Sequence, residues 1–397
     1  MRVFVLGGYG AMAQATARDL LESPGVDRVG IAGRSAEKAK AFARDLGDGR
    51  AEPIEADARF PDRLARTLKG WDVVINSTWH GLNLEVMDAA IRAGIHYVDL
   101  GGLYHMTLRQ LALDARARDA GVTCLLGMGS TPGTMNVLGA YGAAKVDRIE
   151  SVRLRSSGAV VRGGEPGRFV PPYAIRTILD EFQLDCPVVR GGKLEMVPAR
   201  SGLERIEFES PVGWVEGYYT IHSELATMPR NLGKGLQEMD FIVAFPPEFR
   251  RTISTVVEIG LASHEPLDLH GQTLEPFEVT AAAIEALPKP REPELDVDVQ
   301  RCELVGERDG RAVTLRYEAW TWPHEGWNLG GGTVDTGVPP SIAAQWLAGG
   351  RVKAKGAVPP EVAIDPLPFL AELHARGRGI GVYEHVGRGK RRPLFER

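Results

Sequence analysis

The chain has 397 residues, 44% apolar and 25% charged, the balance of a globular protein with a real core and room for two or three domains. A net charge of −5 gives no electrostatic reason to expect a nucleic acid or an anionic membrane as partner. The three cysteines, Cys124, Cys186 and Cys302, lie too far apart for a disulfide framework or zinc spacing.

A reducing, cytoplasmic setting without a metal is therefore expected. The first apolar run, from Val3 to Leu6, ends at once in glycines, so no signal peptide is expected, and no apolar stretch is long enough to span a bilayer.

The chain opens by alternating short apolar runs with helical patterns. Strands are predicted at 3–6, 29–32, 52–55, 73–75, 97–100 and 123–126. Helices are predicted between them at 12–21, 37–46, 61–68, 84–93 and 108–120, with Ser35 placed to cap the second. Such alternation means an α/β fold with a doubly wound parallel sheet. After about residue 145 the pattern changes. Strands are predicted at 151–155, 205–209, 214–221, 238–244, 254–261, 302–305 and 313–320, the last two joined at Asp309-Gly310, a hairpin signal. With helices at 174–182 and 280–287, this reads as an α+β mixed-sheet domain. Helices return at 341–347 and 368–375. The expected partition is 1–132, 133–332 and 333–397.

The turn after the first strand reads Gly7-Gly8-Tyr9-Gly10-Ala11-Met12-Ala13. It contains Gly8-x-Gly10-x-x-Ala13, the dinucleotide fingerprint with alanine last. Glycine permits the tight turn and the close approach of a pyrophosphate, and the following helix offers unpaired N–H groups and its positive end. Placement between a first strand and a first helix supplies the context such a motif needs. The second strand ends in Gly33-Arg34-Ser35, where an NAD site usually carries an acid for the ribose hydroxyls. A guanidinium stands there instead, with Lys38 one turn on, so NADP is the expected cofactor, NAD remaining possible. Asp57 and Ala58 after the third strand, and Asn76, Ser77 and Thr78 after the fourth, complete the predicted cofactor crevice.

Several segments carry a family resemblance. They are Lys69-Gly-Trp-Asp-Val-Val-Ile-Asn76, Ala93-Gly-Ile-His-Tyr-Val-Asp-Leu-Gly-Gly102 and Gly129-Ser-Thr-Pro-Gly-Thr-Met-Asn136. Thr336-Gly-Val-Pro339 and Lys355-Gly-Ala-Val-Pro-Pro-Glu361 continue them. The chain resembles the saccharopine dehydrogenase-like family over nearly its whole length, and within it the lysine 6-dehydrogenase branch. The resemblance implies a Rossmann domain, a mixed-sheet domain for substrate and dimerisation, and a C-terminal segment returning to the first domain. It also implies hydride transfer at a C–N bond of an amino acid or its imine, a small-molecule substrate and a homodimer. Two segments depart from the lysine branch: Gly33-Arg34 replaces its acid, and 218–224 differs.

Amine oxidation requires loss of a proton and imine reduction requires gain of one, work that suits histidine. His222 is the leading candidate acid/base, with Ser223 and Glu224 beside it to orient it or hold the substrate. Asp99, at the end of the fifth strand, is the candidate to bind the amine; Tyr104 and His105 follow in the same loop, and His80 and Asn83 lie beyond the fourth strand. Two other readings stand at this point. Tyr141-x-x-x-Lys145, with Ser130 upstream, matches the catalytic pair of short-chain dehydrogenases. A non-catalytic NADP(H)-sensing protein would use the same crevice.

Overall fold

The six apolar runs fold as a parallel sheet. In the computed structural model, which describes residues 1–165, 168–288, 292–386 and 390–395, they are β1 (Arg2–Leu6), β2 (Arg28–Gly33), β3 (Ala51–Glu55), β4 (Val73–Asn76), β5 (His96–Asp99) and β6 (Thr123–Leu125). Helices cover both faces, so both faces must be apolar. Val3, Val5 and Ile31 enter one core, while Phe4, Leu6 and Val74 enter another on the opposite side.

The chain next builds β7 (Arg148–Arg162), β8 (Cys186–Arg190), β9 (Lys193–Val197), β10 (Glu204–Glu207), β11 (Trp214–Tyr219) and β12 (Glu238–Phe245). A separate hairpin, β13 (Leu267–Leu269) and β14 (Gln272–Leu274), precedes the long strands β15 (Leu295–Arg308) and β16 (Arg311–Thr321). Asp309 and Gly310 join these at φ 51° and 72°, the two positive values of a tight hairpin turn. Three strands close the chain: β17 (Gly356–Val358), β18 (Ile380–Val386) and β19 (Lys390–Pro393).

The parallel sheet has seven strands in the order β17-β6-β5-β4-β1-β2-β3. The order reverses at β1, so a crevice opens beyond the C-terminal ends of β1 and β4, where open α/β sheets bind ligands. The second sheet runs β10-β11-β12-β7-β15-β16-β18-β19, with β8 and β9 hanging from β12. It is mixed, because β12 pairs parallel with β7 while the other neighbours are antiparallel. Among the described residues no helix is long and apolar enough to cross a membrane.

Three expectations need correction. The segment 254–261 is no strand: Pro247–Glu258 is a helix, and Phe249, Ile253, Val256 and Val257 recur at helical spacing against one small core. The late helix begins ten residues before the predicted 341, at Gly331–Ala348, and carries Pro339 and Pro340 inside it. Its small residues permit close packing: a Cβ on Gly337 would lie 2.5 Å from the Met12 carbonyl oxygen. Nor does everything after residue 333 return to the parallel sheet. β17 does, beside β6, but β18 pairs with the free edge of β16, burying Ile380 and Val382.

The C-terminal part is tied to the first helix (Ala11–Glu22) by a buried charge. Asp19 is fully buried and accepts from Ser341 Oγ at 2.7 Å, from Arg376 at 2.7 Å and from Arg378 Nε at 3.2 Å. Removing one partner of such a group strands the other charge. Asp19→Ala is therefore expected to lower unfolding free energy by about 3 kcal/mol, measured by denaturant titration; a loss within 0.5 kcal/mol, the scale of an ordinary surface change, would show that the network holds nothing.

Candidate active site

The cofactor crevice begins at the turn after β1. Gly7 has φ +79°, and a Cβ there would stand 2.6 Å from the Ser77 carbonyl oxygen, so only glycine lets the loop lie against the end of β4. The helix that follows starts at Ala11, with Gly10 as N-cap, no side-chain cap and no acid in its first turn. Its N–H groups and positive end remain available, with Ala11 and Met12 at the mouth. That fits a pyrophosphate.

At the end of β2, Arg34 is exposed and Ser35 caps the next helix by accepting from Lys38 N at 3.2 Å. The Tyr9 ring fills the space beside Gly33. Asp57 is held by Arg59 through Nε at 3.1 Å, and that guanidinium draws the carboxyl below its usual range against a burial cost, with Arg34 adding a smaller pull. Ala58 is buried. Asn76 is buried too: its amide donates to Asn83 Oδ1 at 2.9 Å and its oxygen accepts from Thr78 Oγ1 at 2.7 Å, so these side chains shape the loop.

Asp99 does not face the crevice. Its Oδ1 accepts from Gly101 N at 2.8 Å and Gly127 N at 2.7 Å, and its Oδ2 from Tyr97 Oη at 2.8 Å and Gln110 Nε2 at 2.6 Å. Burial pushes its pKa up, with the four donors opposing. Fully engaged, it positions two loops and has nothing left for an amine. Those loops seat Pro132: a Cβ on Gly101 or Gly127 would lie 2.5 or 2.6 Å from its ring. Next to it, Thr131 Oγ1 donates to Glu224 Oε1 at 2.6 Å, and Ser130 Oγ meets Thr336 Oγ1 at 3.4 Å.

Glu224 in turn holds His222 through Oε2 and Nδ1. The imidazole stacks on Phe241 with centroids 4.2 Å apart and planes 9° apart. Among the described residues no hydrogen bond reaches Nε2. Burial pushes the His222 pKa down, but the charge and hydrogen bond of Glu224, with the charge of Glu181, outweigh it, and the net shift is upward. His80 shows the opposite case: burial without a carboxylate holds it at about 4. Ser223 donates to the Gly102 carbonyl and accepts from Thr107 Oγ1 at 3.0 Å, so it fastens this strand end to the Asp99 loop. Tyr104 is half-buried beside exposed His105, their rings 5.4 Å apart.

Sequence reasoning missed the acids around this histidine. Glu181 lies on the helix Ile175–Gln183 and accepts from Tyr173 Oη; burial raises it to about 7, with His222 pulling it down. Tyr173 also feels Asp298 of β15. Asp298 is raised by burial, Asp335 and Asp296, while burial carries Asp335 to about 7. Among the described residues none of Glu181, Asp298 and Asp335 forms a salt bridge with lysine or arginine. The available signal was acid inside apolar sequence: Asp180-Glu181 between Leu179 and Phe182, and the Asp296 and Asp298 that alternate with buried valines.

The two families that match the chain are the saccharopine dehydrogenase NADP binding domain over residues 3–125 and the saccharopine dehydrogenase C-terminal domain over residues 129–378. The chain belongs to the saccharopine dehydrogenase family. It is 27% identical to a carboxynorspermidine synthase of Vibrio alginolyticus over 79% of this chain and 77% of that one. It is 24% identical to a carboxyaminopropylagmatine dehydrogenase of Synechocystis over 87% and 89%. The L-Glu-forming saccharopine dehydrogenase of Saccharomyces cerevisiae shares the fold, at TM-score 0.74 and 17% identity over 97% of this chain and 100% of that one. The chain is an NAD(P)-dependent oxidoreductase of that family. The short-chain reading fails on geometry as well: Tyr141 packs edge-on against Tyr317 at 5.1 Å, and Lys145 Nζ sits over its ring face at 4.2 Å.

A group raised in the folded state stabilises below its unfolded pKa, about 6.5 for histidine, and that contribution is lost as pH rises through the folded value. An NMR titration of the imidazoles is expected to find His222 above 6.5 in the wild type and below it in Glu224→Gln, which keeps the shape but removes the charge. An unchanged midpoint would show that Glu224 does not hold the proton on His222.

Proposed function

We propose that the enzyme interconverts an imine and a secondary amine of a cationic, carboxylated amine substrate, with NADP(H) as the cofactor. One observation carries the substrate class: Glu181 is buried within Coulombic reach of His222, Asp335 is buried beside half-buried Asp298, and among the described residues none of the three forms a salt bridge with lysine or arginine. Unpaired carboxylates in a low dielectric are costly, and an incoming ammonium offsets that cost. The names of the two relatives, carboxynorspermidine synthase and carboxyaminopropylagmatine dehydrogenase, support an amine of this kind.

The bound cofactor supplies or accepts the hydride. In reduction the π pair of the C=N bond moves to nitrogen, and His222 Nε2 delivers the proton that nitrogen then takes. In oxidation Nε2 removes that proton before the C–H bond breaks. Glu224 fixes the ring through Nδ1, which directs Nε2 outward and supports the imidazolium. Phe241 keeps the ring flat against the sheet.

His222→Ala is expected to lower turnover by roughly a hundredfold or more while NADPH affinity, read by fluorescence titration, stays within about twofold. The screen that finds the substrate uses lysine, saccharopine, ornithine and polyamine-derived imines. Faster turnover of an uncharged carbonyl compound than of every amine would overturn the cationic reading.

The cofactor assignment rests on Arg34, exposed at the end of β2 where an acid is missing. Charge-assisted hydrogen bonds to a 2′-phosphate contribute about 1.5–3 kcal/mol each, and 1.4 kcal/mol is tenfold in affinity. NADPH is expected to bind at least about tenfold more tightly than NADH, and Arg34→Ala to remove most of that difference at NADPH's expense. Added salt should narrow it as well. Equal losses for both cofactors in the variant would reduce Arg34 to a surface charge.

A further inference from the structure

We propose that Tyr9 is a cofactor-specificity residue: its ring excludes an acid from the end of β2, and its hydroxyl donates to the adenosine 2′-phosphate. The proposal deepens the NADP assignment and rests on it.

Tyr9 occupies the variable place in Gly8-x-Gly10, a position for which the fingerprint has no rule. Its ring folds back over the end of β2. A Cβ added to Gly33 would stand 2.6 Å from Tyr9 Cε1 and 2.6 Å from its Oη. The carboxylate that an NAD site places after β2 therefore has room only if the ring moves, so a neighbour opposes it. The ring does not hang free. Ser35 N donates to Tyr9 Oη at 3.0 Å, which fixes the phenol against the turn. That bond uses the oxygen as an acceptor and leaves the phenol proton for a ligand. Tyr9 is half-buried, packed on the core below and open above.

The consequence is an inversion of hydrogen-bond sense. A carboxylate offers acceptors only, which suits the two hydroxyls of an unmodified ribose and repels a phosphate. Here the same place offers the Tyr9 O–H, with exposed Arg34 beside it, and both are donors. A phosphate oxygen is a charged acceptor and satisfies them; a ribose 2′-hydroxyl can accept one bond but leaves the charge of Arg34 unmatched. Tyr9 thus supplies a fixed, neutral donor where Arg34 supplies a mobile charge.

The test measures dissociation constants of NADPH and NADH by fluorescence titration, with thermal unfolding to confirm folding. Four proteins are compared: wild type, Tyr9→Phe, Gly33→Asp, and Tyr9→Ala with Gly33→Asp. Tyr9→Phe keeps the ring and removes the donor, so NADPH affinity should fall about tenfold while NADH changes less than about threefold. Gly33→Asp alone should weaken both cofactors at least about tenfold, because the ring and the new side chain cannot share the space. Removing the ring in the double variant should restore NADH binding and reverse the preference. A wild-type preference for NADPH that Tyr9→Phe leaves unchanged overturns the donor role while the NADP assignment stands. Gly33→Asp binding NADH as tightly as the double variant overturns the exclusion role. A wild type that does not favour NADPH overturns the NADP assignment and the Tyr9 role with it.

Discussion

The carboxylate of Asp99 is the fixed point on which the catalytic end is built. It ends β5, it is buried, and it accepts hydrogen bonds from the backbone of both Gly101 and Gly127, residues on two different loops. An ionised acceptor inside a protein binds N–H groups more firmly than a neutral one, and losing it would leave two buried donors unpaired. The two loops therefore keep one spacing. That spacing forms the seat of Pro132, Pro132 sets Thr131, and Thr131 donates to Glu224, which holds His222. The histidine belongs to the mixed-sheet part of the chain, and Thr131 to the end of the parallel sheet. One chain of contacts from strand end to imidazole thus joins the two sheets at His222.

Two buried acids in this molecule illustrate how partners decide a role. Asp19 faces Arg376 and Arg378, and its charge is spent on holding the C-terminal part to the first helix. Asp335 lies on the neighbouring helix, equally buried, with Gln300 as hydrogen-bond partner and another acid within Coulombic reach. The first is an internal pair that resembles many structural ion pairs. The second stores unfavourable desolvation, which burial expresses as a carboxyl raised to about 7. Groups perturbed in this way cluster at functional sites.

Much of the fold was legible because the parallel strands are buried on both faces and read as apolar runs between helical patterns. The glycine turn was legible because its chemistry is local: Gly7, Gly8 and Gly10 must be glycine for reasons contained within a few residues. The helix at Pro247–Glu258 was misread because Val256, Val257, Ile259 and Leu261 look like a strand when Phe249 and Ile253 are not counted with them. Asp99 was recognised as a residue that matters and given the wrong task. Its four donors come from Tyr97, Gly101, Gln110 and Gly127, and no local pattern announces that two loops will turn their N–H groups on one carboxylate. Glu181 was passed over because one acid on an amphipathic helix looks like a solvated face. Only the packing of Tyr173 and His222 around it shows otherwise.

The crevice is electrostatically divided, and the division governs how its parts respond to solvent. The adenosine end carries exposed Arg34, Lys38 and Arg59. Charges there work through a medium of high dielectric with mobile counterions, so all are weakened by salt. That end is built of surface side chains, with the Tyr9 ring packed beneath them. The catalytic end is the reverse. His222, Glu224 and Glu181 are buried, salt reaches them poorly, and their interactions are strong because water is excluded. What moves His222 and Glu181 is protonation, since burial has brought Glu181 to about 7 and a carboxylate pair has carried His222 upward. A single fold thereby separates two problems. Arg34, Lys38 and Arg59 lie at the rim, exposed to solvent and away from the buried acids. The imidazole is set inside, where a change at Asp99, Pro132 or Glu224 reaches it through the packing that holds the protein together.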